Sequence, residues 1–219
     1  NCRGDDQWGR VSAAPTGTYS DLDVGYGHAC AVARNGSVEC WGLDEQGQAD
    51  PPDERFTKVA TGRHFSCGLT TEETVSCWGK IDTEQDEGPE ELPQGNGWID
   101  LSAGGYHACA LHNLGEVQCW GWRSDENQQQ EDPQAPNIGF LELASGEQHS
   151  CGVSHEQELR CWGLDAIEEW GQREKGQRDA PGGTNWVSVA AGFDHSCAIA
   201  DDGLAACWGG NRYEQATPP

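Results

Sequence analysis

The sequence predicts an all-β repeat protein, a β-propeller, and three observations predict it. Ten of the 11 cysteines fall into five pairs of one spacing: Cys30/Cys40, Cys67/Cys77, Cys109/Cys119, Cys151/Cys161 and Cys197/Cys207. Each second cysteine opens a Cys-Trp-Gly triplet, carried by Trp41, Trp78, Trp120, Trp162 and Trp208. Each first cysteine has glycine five residues before it and an aromatic eleven before it, as in Gly25 and Tyr19 or Gly192 and Trp186. First cysteines recur 37, 42, 42 and 46 residues apart. Units of that length, punctuated by glycine and tryptophan at fixed places, are the sequence sign of propeller blades.

Each unit reads as three strands. The first is short, as in Trp186-Val187-Ser188-Val189-Ala190, and Gly192 allows the turn after it. The second runs from His195 to Ile199 and the third from Leu204 to Trp208. Alternation puts His28, Cys30 and Val32 on one face of a middle strand. Gly36, Gly115 and Gly203 stand six residues after a first cysteine, where a three-residue hairpin loop needs a left-handed residue. That loop sets Val32 opposite Val38, Cys30 opposite Cys40 and His28 opposite Gly42. Directly opposed cysteines lie within disulfide reach, so each pair reads as a cross-strand disulfide. Metal ligation and free thiols are the alternatives. Disulfides in every unit imply an oxidising compartment and an exported protein.

The pattern Gly-x-x-His-x-Cys followed by Cys-Trp-Gly and a Gly-Gln, as in Gly47-Gln48 or Gly171-Gln172, resembles the regulator-of-chromosome-condensation repeat. It is most similar to the extracellular, disulfide-bearing version found in secreted bacterial proteins and crinkly-type receptor ectodomains. The resemblance covers nearly the whole chain and implies a propeller, commonly of seven blades. It does not imply one function, because such propellers serve as exchange factors, inhibitors, receptors and adhesins.

The chain divides into a partial unit at 1–16 and units at 17–52, 53–94, 95–136, 137–183 and 184–219, all within one repeat domain. It lacks Met and opens Asn1-Cys2, which reads as a processed or excised piece. Cys2-Arg3-Gly4 matches Cys-Trp-Gly without a preceding His-x-Cys strand, so the five recognisable blades read as a segment of a larger propeller or array. Cys2 is the odd cysteine, expected to be unpaired or bonded to another chain.

Composition narrows the partners. With 37 acidic residues against 13 Lys and Arg, the formal net charge is −24. Nucleic acid is excluded as a partner, since binding it needs a basic surface. Membrane insertion is excluded because no apolar run approaches ~20 residues.

The repeated histidines His28, His107, His149 and His195 suggest a metal ring. They read instead as packing residues whose rings bond backbone carbonyls, and Phe65 at the same place in the second unit supports that. His112 and His155, near hairpin tips, read as solvent-facing. The repeated tryptophans read as packing between blades. Trp122 and Trp170 fall outside the repeat, in the long connections Gly121–Gly139 and Gly163–Gly183, and are the candidate binding residues. The acidic stretches Asp82–Glu91 and Asp125–Asp132 lack a calcium loop, so no cofactor is expected, with Ca²⁺ as the alternative. Arg3-Gly4-Asp5 falls on the repeat frame and reads as coincidence. Asn35-Gly36-Ser37 is a sequon that turn chemistry already explains. No nucleophile elbow, phosphate loop or zinc-protease helix is present, and no enzyme is expected.

The sequence thus reads as a secreted or cell-surface scaffold for protein interaction or adhesion, binding through variable acidic loops. The partner is a protein or a cell-surface glycan, and self-association through open ends is also expected. The alternatives are an inhibitor of a secreted enzyme, a lectin, and a structural subunit of a surface fibre or layer.

Overall fold

The computed structural model describes residues 6–81, 92–121, 134–163 and 176–217. Fifteen strands form five three-stranded antiparallel blades among these residues. The first blade holds β1 (Tyr19–Val24), β2 (His28–Ala33) and β3 (Val38–Gly42); the second holds β4 (Phe56–Thr61), β5 (Phe65–Thr70) and β6 (Val75–Gly79). The third holds β7 (Trp98–Ala103), β8 (His107–His112) and β9 (Val117–Gly121); the fourth holds β10 (Phe140–Ser145), β11 (His149–Ser154) and β12 (Leu159–Gly163). The fifth holds β13 (Trp186–Ala191), β14 (His195–Ala200) and β15 (Ala205–Gly209). No helix among the described residues is long and apolar enough to cross a membrane.

The hairpin register is the expected one. Val32 faces Val38, Cys30 faces Cys40 and His28 faces Gly42, and the four other blades repeat this pairing. The left-handed loop residue is Gly36, Gly115 or Gly203 in three blades, with φ of 86°, 84° and 83°. In the other two it is Glu73 and Gln157, with φ of 61° and 59°. The fifteenth strand begins at Ala205, one residue later than the sequence suggests.

Each blade is stapled once, between its middle and third strands. The bonds are Cys30–Cys40, Cys67–Cys77, Cys109–Cys119, Cys151–Cys161 and Cys197–Cys207. Their Cα atoms stand 4.0 to 4.1 Å apart, as directly opposed strand residues should. The third-strand members Cys40, Cys77, Cys119, Cys161 and Cys207 are thereby committed to structure. All ten cysteines of the repeat pairs are thus disulfide-bonded in the structure.

Consecutive blades pack in chain order, the first strand of one beside the first and middle strands of the one before it. The first strands are therefore the inner wall of the propeller and the third strands its outer wall. Side chains bridge the inner strands where no backbone ladder joins them. Asp21 accepts from Val59 N at 2.8 Å, Asp23 from Thr61 N at 2.6 Å, and Ser102 from Ser145 N at 2.9 Å. The repeat glycine before the middle strand is fixed by this closeness: a Cβ on Gly25 would stand 2.4 Å from the Gly62 carbonyl oxygen.

The core lies between blades. The five Cys-Trp-Gly tryptophans are buried, which places them in packing. Phe56 meets Trp78 with ring centroids 5.6 Å apart, and Phe140 meets Trp162 at 5.3 Å. The Gly-Gln element has a defined task. The carbonyl of Gln48 accepts the Trp78 indole N–H at 3.0 Å, and that of Gln177 accepts Trp208 at 2.7 Å. Arg10 plays this part for Trp41, at 2.9 Å. In the fifth blade the element is thus Gly176-Gln177; Gly171-Gln172 lies outside the described residues.

Candidate functional site

Three of the four repeat histidines, His28, His107 and His149, are buried, and each ring reaches a serine of the following blade. His195 is partly exposed and lies beside Asp194. His28 Nε2 lies 2.7 Å from Ser66 Oγ, His107 2.7 Å from Ser150, and His149 2.8 Å from Ser196. Ser66 donates its one proton to the Gln48 carbonyl at 2.9 Å, so it accepts from a protonated Nε2 of a neutral His28. Burial pushes His28 and His107 down to about 4, which keeps both neutral near pH 7. Among the described residues no group of three His, Cys, Asp or Glu side chains is placed to hold a metal ion. His155 is exposed as expected, whereas His112 packs edge-on against Trp98 at 5.2 Å and bonds the Asn96 carbonyl at 3.1 Å.

Five turns converge at one rim of the propeller, each linking a first strand to a middle strand. Backbone bonds hand one turn to the next. Arg63 N donates to Gly105 O at 3.1 Å, Gly105 N to Glu147 O at 3.1 Å, and Glu147 N to Phe193 O at 3.1 Å. The residue after the repeat glycine stands at the centre of this rim: Tyr26, Arg63, Gly105, Glu147 and Phe193. Each blade supplies a different residue there, on a frame that is otherwise constant.

These side chains form one constellation. The Arg63 guanidinium lies 4.8 Å from the Tyr26 ring centroid and 5.3 Å from that of Tyr106. It also pairs with Glu147 at 3.1 Å and bonds the Tyr106 hydroxyl. Desolvation raises the Glu147 carboxyl above its ordinary value, and Arg63 opposes that. Arginine between two aromatic faces and a carboxylate is held in one pose. Tyr26, against the guanidinium, is 50% exposed, and Phe193, on the turn bonded to Glu147, is 59% exposed. Rigid aromatic rings beside a fixed guanidinium are the chemistry of protein-recognition hot spots.

The long connections begin at this same rim. Gly121, which ends β9, packs on the Tyr106 carbonyl, and Gly163, which ends β12, packs on that of Gln148. Trp122 and Trp170 lie outside the described residues, as do Cys2, Arg3-Gly4-Asp5 and both acidic stretches. The disulfide cysteines, Cys77, Cys119, Cys161 and Cys207 among them, add nothing to the constellation and serve only to hold the blades that carry it. Sequence reasoning misses the inner-turn constellation. Its signal is there: one variable position in every unit of a fixed frame.

The regulator of chromosome condensation (RCC1) repeat model matches residues 19–48, 56–82, 98–128 and 186–215. The fourth blade lies outside these matches yet shares their strand pattern and disulfide. No curated protein matches the sequence. Among solved structures, the chain is similar to the entire ectodomain of the Physcomitrella patens receptor kinase CR4, at 25% identity and a TM-score of 0.64. That match covers 86% of this chain and 49% of the ectodomain. The CRINKLY WD40 ectodomain of the Arabidopsis thaliana receptor kinase ACR4 matches at 24% identity and a TM-score of 0.63, covering 86% of this chain and 62% of that one. Yeast RCC1 (Prp20), solved bound to Kap60, matches at 21% identity and 0.57, covering 84% and 54%. The chain therefore spans less than two thirds of the length of each of these structures.

Proposed function

Because the chain belongs to the family of regulator of chromosome condensation repeats, which hosts several functions on one fold, we propose its function from the site: a non-catalytic, extracellular protein-interaction module. The observation that carries this is the inner-turn rim, where an exposed Tyr26 stacks on a pinned Arg63 and an exposed Phe193 stands on the turn joined to Glu147 by a backbone bond. Five disulfides support an oxidising compartment. A receptor-kinase ectodomain at 25% identity agrees with an extracellular setting. The acidic connections and Trp122 and Trp170 would widen the contact, since the connections start at the same rim. A sugar-stacking array of repeat tryptophans is disfavoured because those rings are buried. Inhibition of a secreted enzyme would use the same rim and differs only in the partner's nature.

The test compares two ends of one blade. A photo-crosslinking residue at Phe193 reports the inner-turn rim; one at Leu204, 69% exposed on the opposite hairpin, reports the far end. On cell surfaces and secreted fractions, the probe at 193 should form protein adducts and the probe at 204 should not. Arg63→Glu should abolish the adducts. Equal labelling from both ends, or adducts with glycan alone, would overturn the reading.

A further inference from the structure

One contact of the inner-turn rim passes over a whole blade. Glu147 belongs to the turn of the fourth blade and Arg63 to that of the second, yet their side chains pair at 3.1 Å across the turn of the third. The path runs directly over Gly105. A Cβ built there would stand 2.4 Å from Glu147 Oε2, 2.5 Å from its Cδ and 2.9 Å from its Oε1. These are its three nearest atoms, so the carboxylate fills the space that a side chain would take. Gly105 has no left-handed φ, and its backbone would accept alanine. What constrains it is the side chain that crosses it, whereas Gly36 is constrained by its own turn.

The crossing places a charge where water reaches it poorly. The Glu147 side chain is 13% exposed and that of Arg63 29%. Desolvation raises the Glu147 carboxyl, and Arg63 and His64 of the second turn oppose the rise. From the third turn, Tyr106 shares Arg63 with it through a hydroxyl bond. The fifth turn presents the Phe193 carbonyl to Glu147 N at 3.1 Å. Arg63 in turn carries the Tyr26 ring on its guanidinium. The pose of a tyrosine on the first blade is thus tied to a carboxylate on the fourth. Opening the side-chain link leaves the backbone bonds from turn to turn in place.

We propose that Glu147 is a positioning residue, a clasp over Gly105 that fixes Arg63, and through it Tyr26, in the pose a partner meets, and that the clasp opens when Glu147 loses its charge. This rests on the interaction reading above and adds its regulation: binding that weakens as the surroundings turn acidic. While the carboxylate is charged it pairs the guanidinium. As pH falls through its raised titration point the carboxyl becomes neutral and the charge-assisted bond is lost. Arg63 stays charged and must then turn to water or to an acceptor on another molecule.

The full chain with ring-labelled tyrosine tests this by NMR, the Tyr26 signal being assigned by Tyr26→Phe. As pH falls from about 7 to about 4, that signal should shift with a midpoint above 4.5, the ordinary glutamate value. Glu147→Gln keeps the shape without the charge and should hold the signal at its acid position at every pH. Gly105→Ala should do the same by displacing the carboxylate, with the five disulfides mapped to show that the blades remain folded. In either variant, protein adducts from a photo-crosslinking residue at 193 should fall about tenfold at neutral pH, the equivalent of one charge-assisted hydrogen bond. The double variant should lose no more than either alone, since both changes open the same clasp. Adducts of the parent should fall with the midpoint of the Tyr26 signal, and those of Glu147→Gln should not change with pH. A Tyr26 signal blind to pH and to both variants, or adducts at the parent's level from both variants, would overturn the clasp and leave the interaction reading standing. A parent that forms no adducts would overturn that reading, and the clasp's part in binding with it, whatever the tyrosine signal does.

Discussion

The interface between the first and second blades and that between the second and third hold the same place in the fold by different chemistry. At the first, His28 crosses to Ser66, and burial keeps its ring neutral near pH 7. At the second, Phe65 packs in an apolar cluster with Ala108, Leu69, Leu101 and Trp120. Both residues are almost wholly buried, so exposure does not separate them. What separates them is whether the ring has a polar group to satisfy. Each blade thus carries a specification for its successor, and the two solutions cannot be mixed without cost.

The largest effect should come from mixing them. Phe65→His alone places an imidazole against Ala108, which offers no acceptor. Losing the phenyl packing and burying an unsatisfied N–H should together cost about 3 kcal/mol. Adding Ala108→Ser should recover a large part of that loss. Chemical denaturation of the two variants beside the parent checks this. If Ala108→Ser makes the Phe65→His protein no more stable, the two positions do not specify each other.

Much of the fold is legible because its constraints are local. A ten-residue cysteine spacing and a left-handed loop residue fix the hairpin register, and β2 with β3 shows that register. The same spacing assigns Cys77, Cys119, Cys161 and Cys207 to their partners without knowledge of any other blade. Relations between blades are harder to read. The Gln48 carbonyl that receives the Trp78 indole is a backbone atom, and any residue could supply it, so the Gly-Gln motif is visible without its role. Ser66 lies 38 residues from His28, and nothing local marks the two as partners. The inner-turn rim escapes for the opposite reason. Repetition draws attention to what is constant, whereas Tyr26, Arg63, Glu147 and Phe193 share only their position.

The second effect sharpens the same comparison through pH. As pH falls below about 6.5, the unfolded imidazole binds a proton. The folded ring of His28 stays neutral down to about 4, so the unfolded state gains over that window. Stability contributed above pH 6.5 is therefore lost progressively toward pH 4, by about 2 kcal/mol per buried histidine at pH 5. His107 adds a like share. The double variant His28→Phe with Ser66→Ala copies the apolar solution of the neighbouring interface. It should keep about 2 kcal/mol more of its pH 7 stability at pH 5 than the parent. A parallel fall in both proteins, measured by denaturation at the two pH values, would mean that carboxylates and not this ring set the acid response.

The smallest effect lies at the far end of the same two blades. Both hairpins make the same turn, closed by Gly36 N to Ala33 O at 2.8 Å in the first blade and by Glu73 N to Thr70 O at 3.0 Å in the second. The left-handed φ is 86° at Gly36 and 61° at Glu73. A side chain in that region is disfavoured by about 1–2 kcal/mol, since Cβ crowds the following carbonyl. Glycine removes the crowding but leaves the unfolded chain freer, which takes back about 0.4–1 kcal/mol. Glu73→Gly should therefore stabilise the second blade by about 0.5–1 kcal/mol, with a midpoint rise of a few degrees at most. Gly36→Glu should do the reverse, and more strongly, because its Cβ would also stand 3.3 Å from that of Arg55. Thermal unfolding of the two single variants checks the pair. A destabilising Glu73→Gly would show that the glutamate side chain makes a contact worth more than the strain of its backbone.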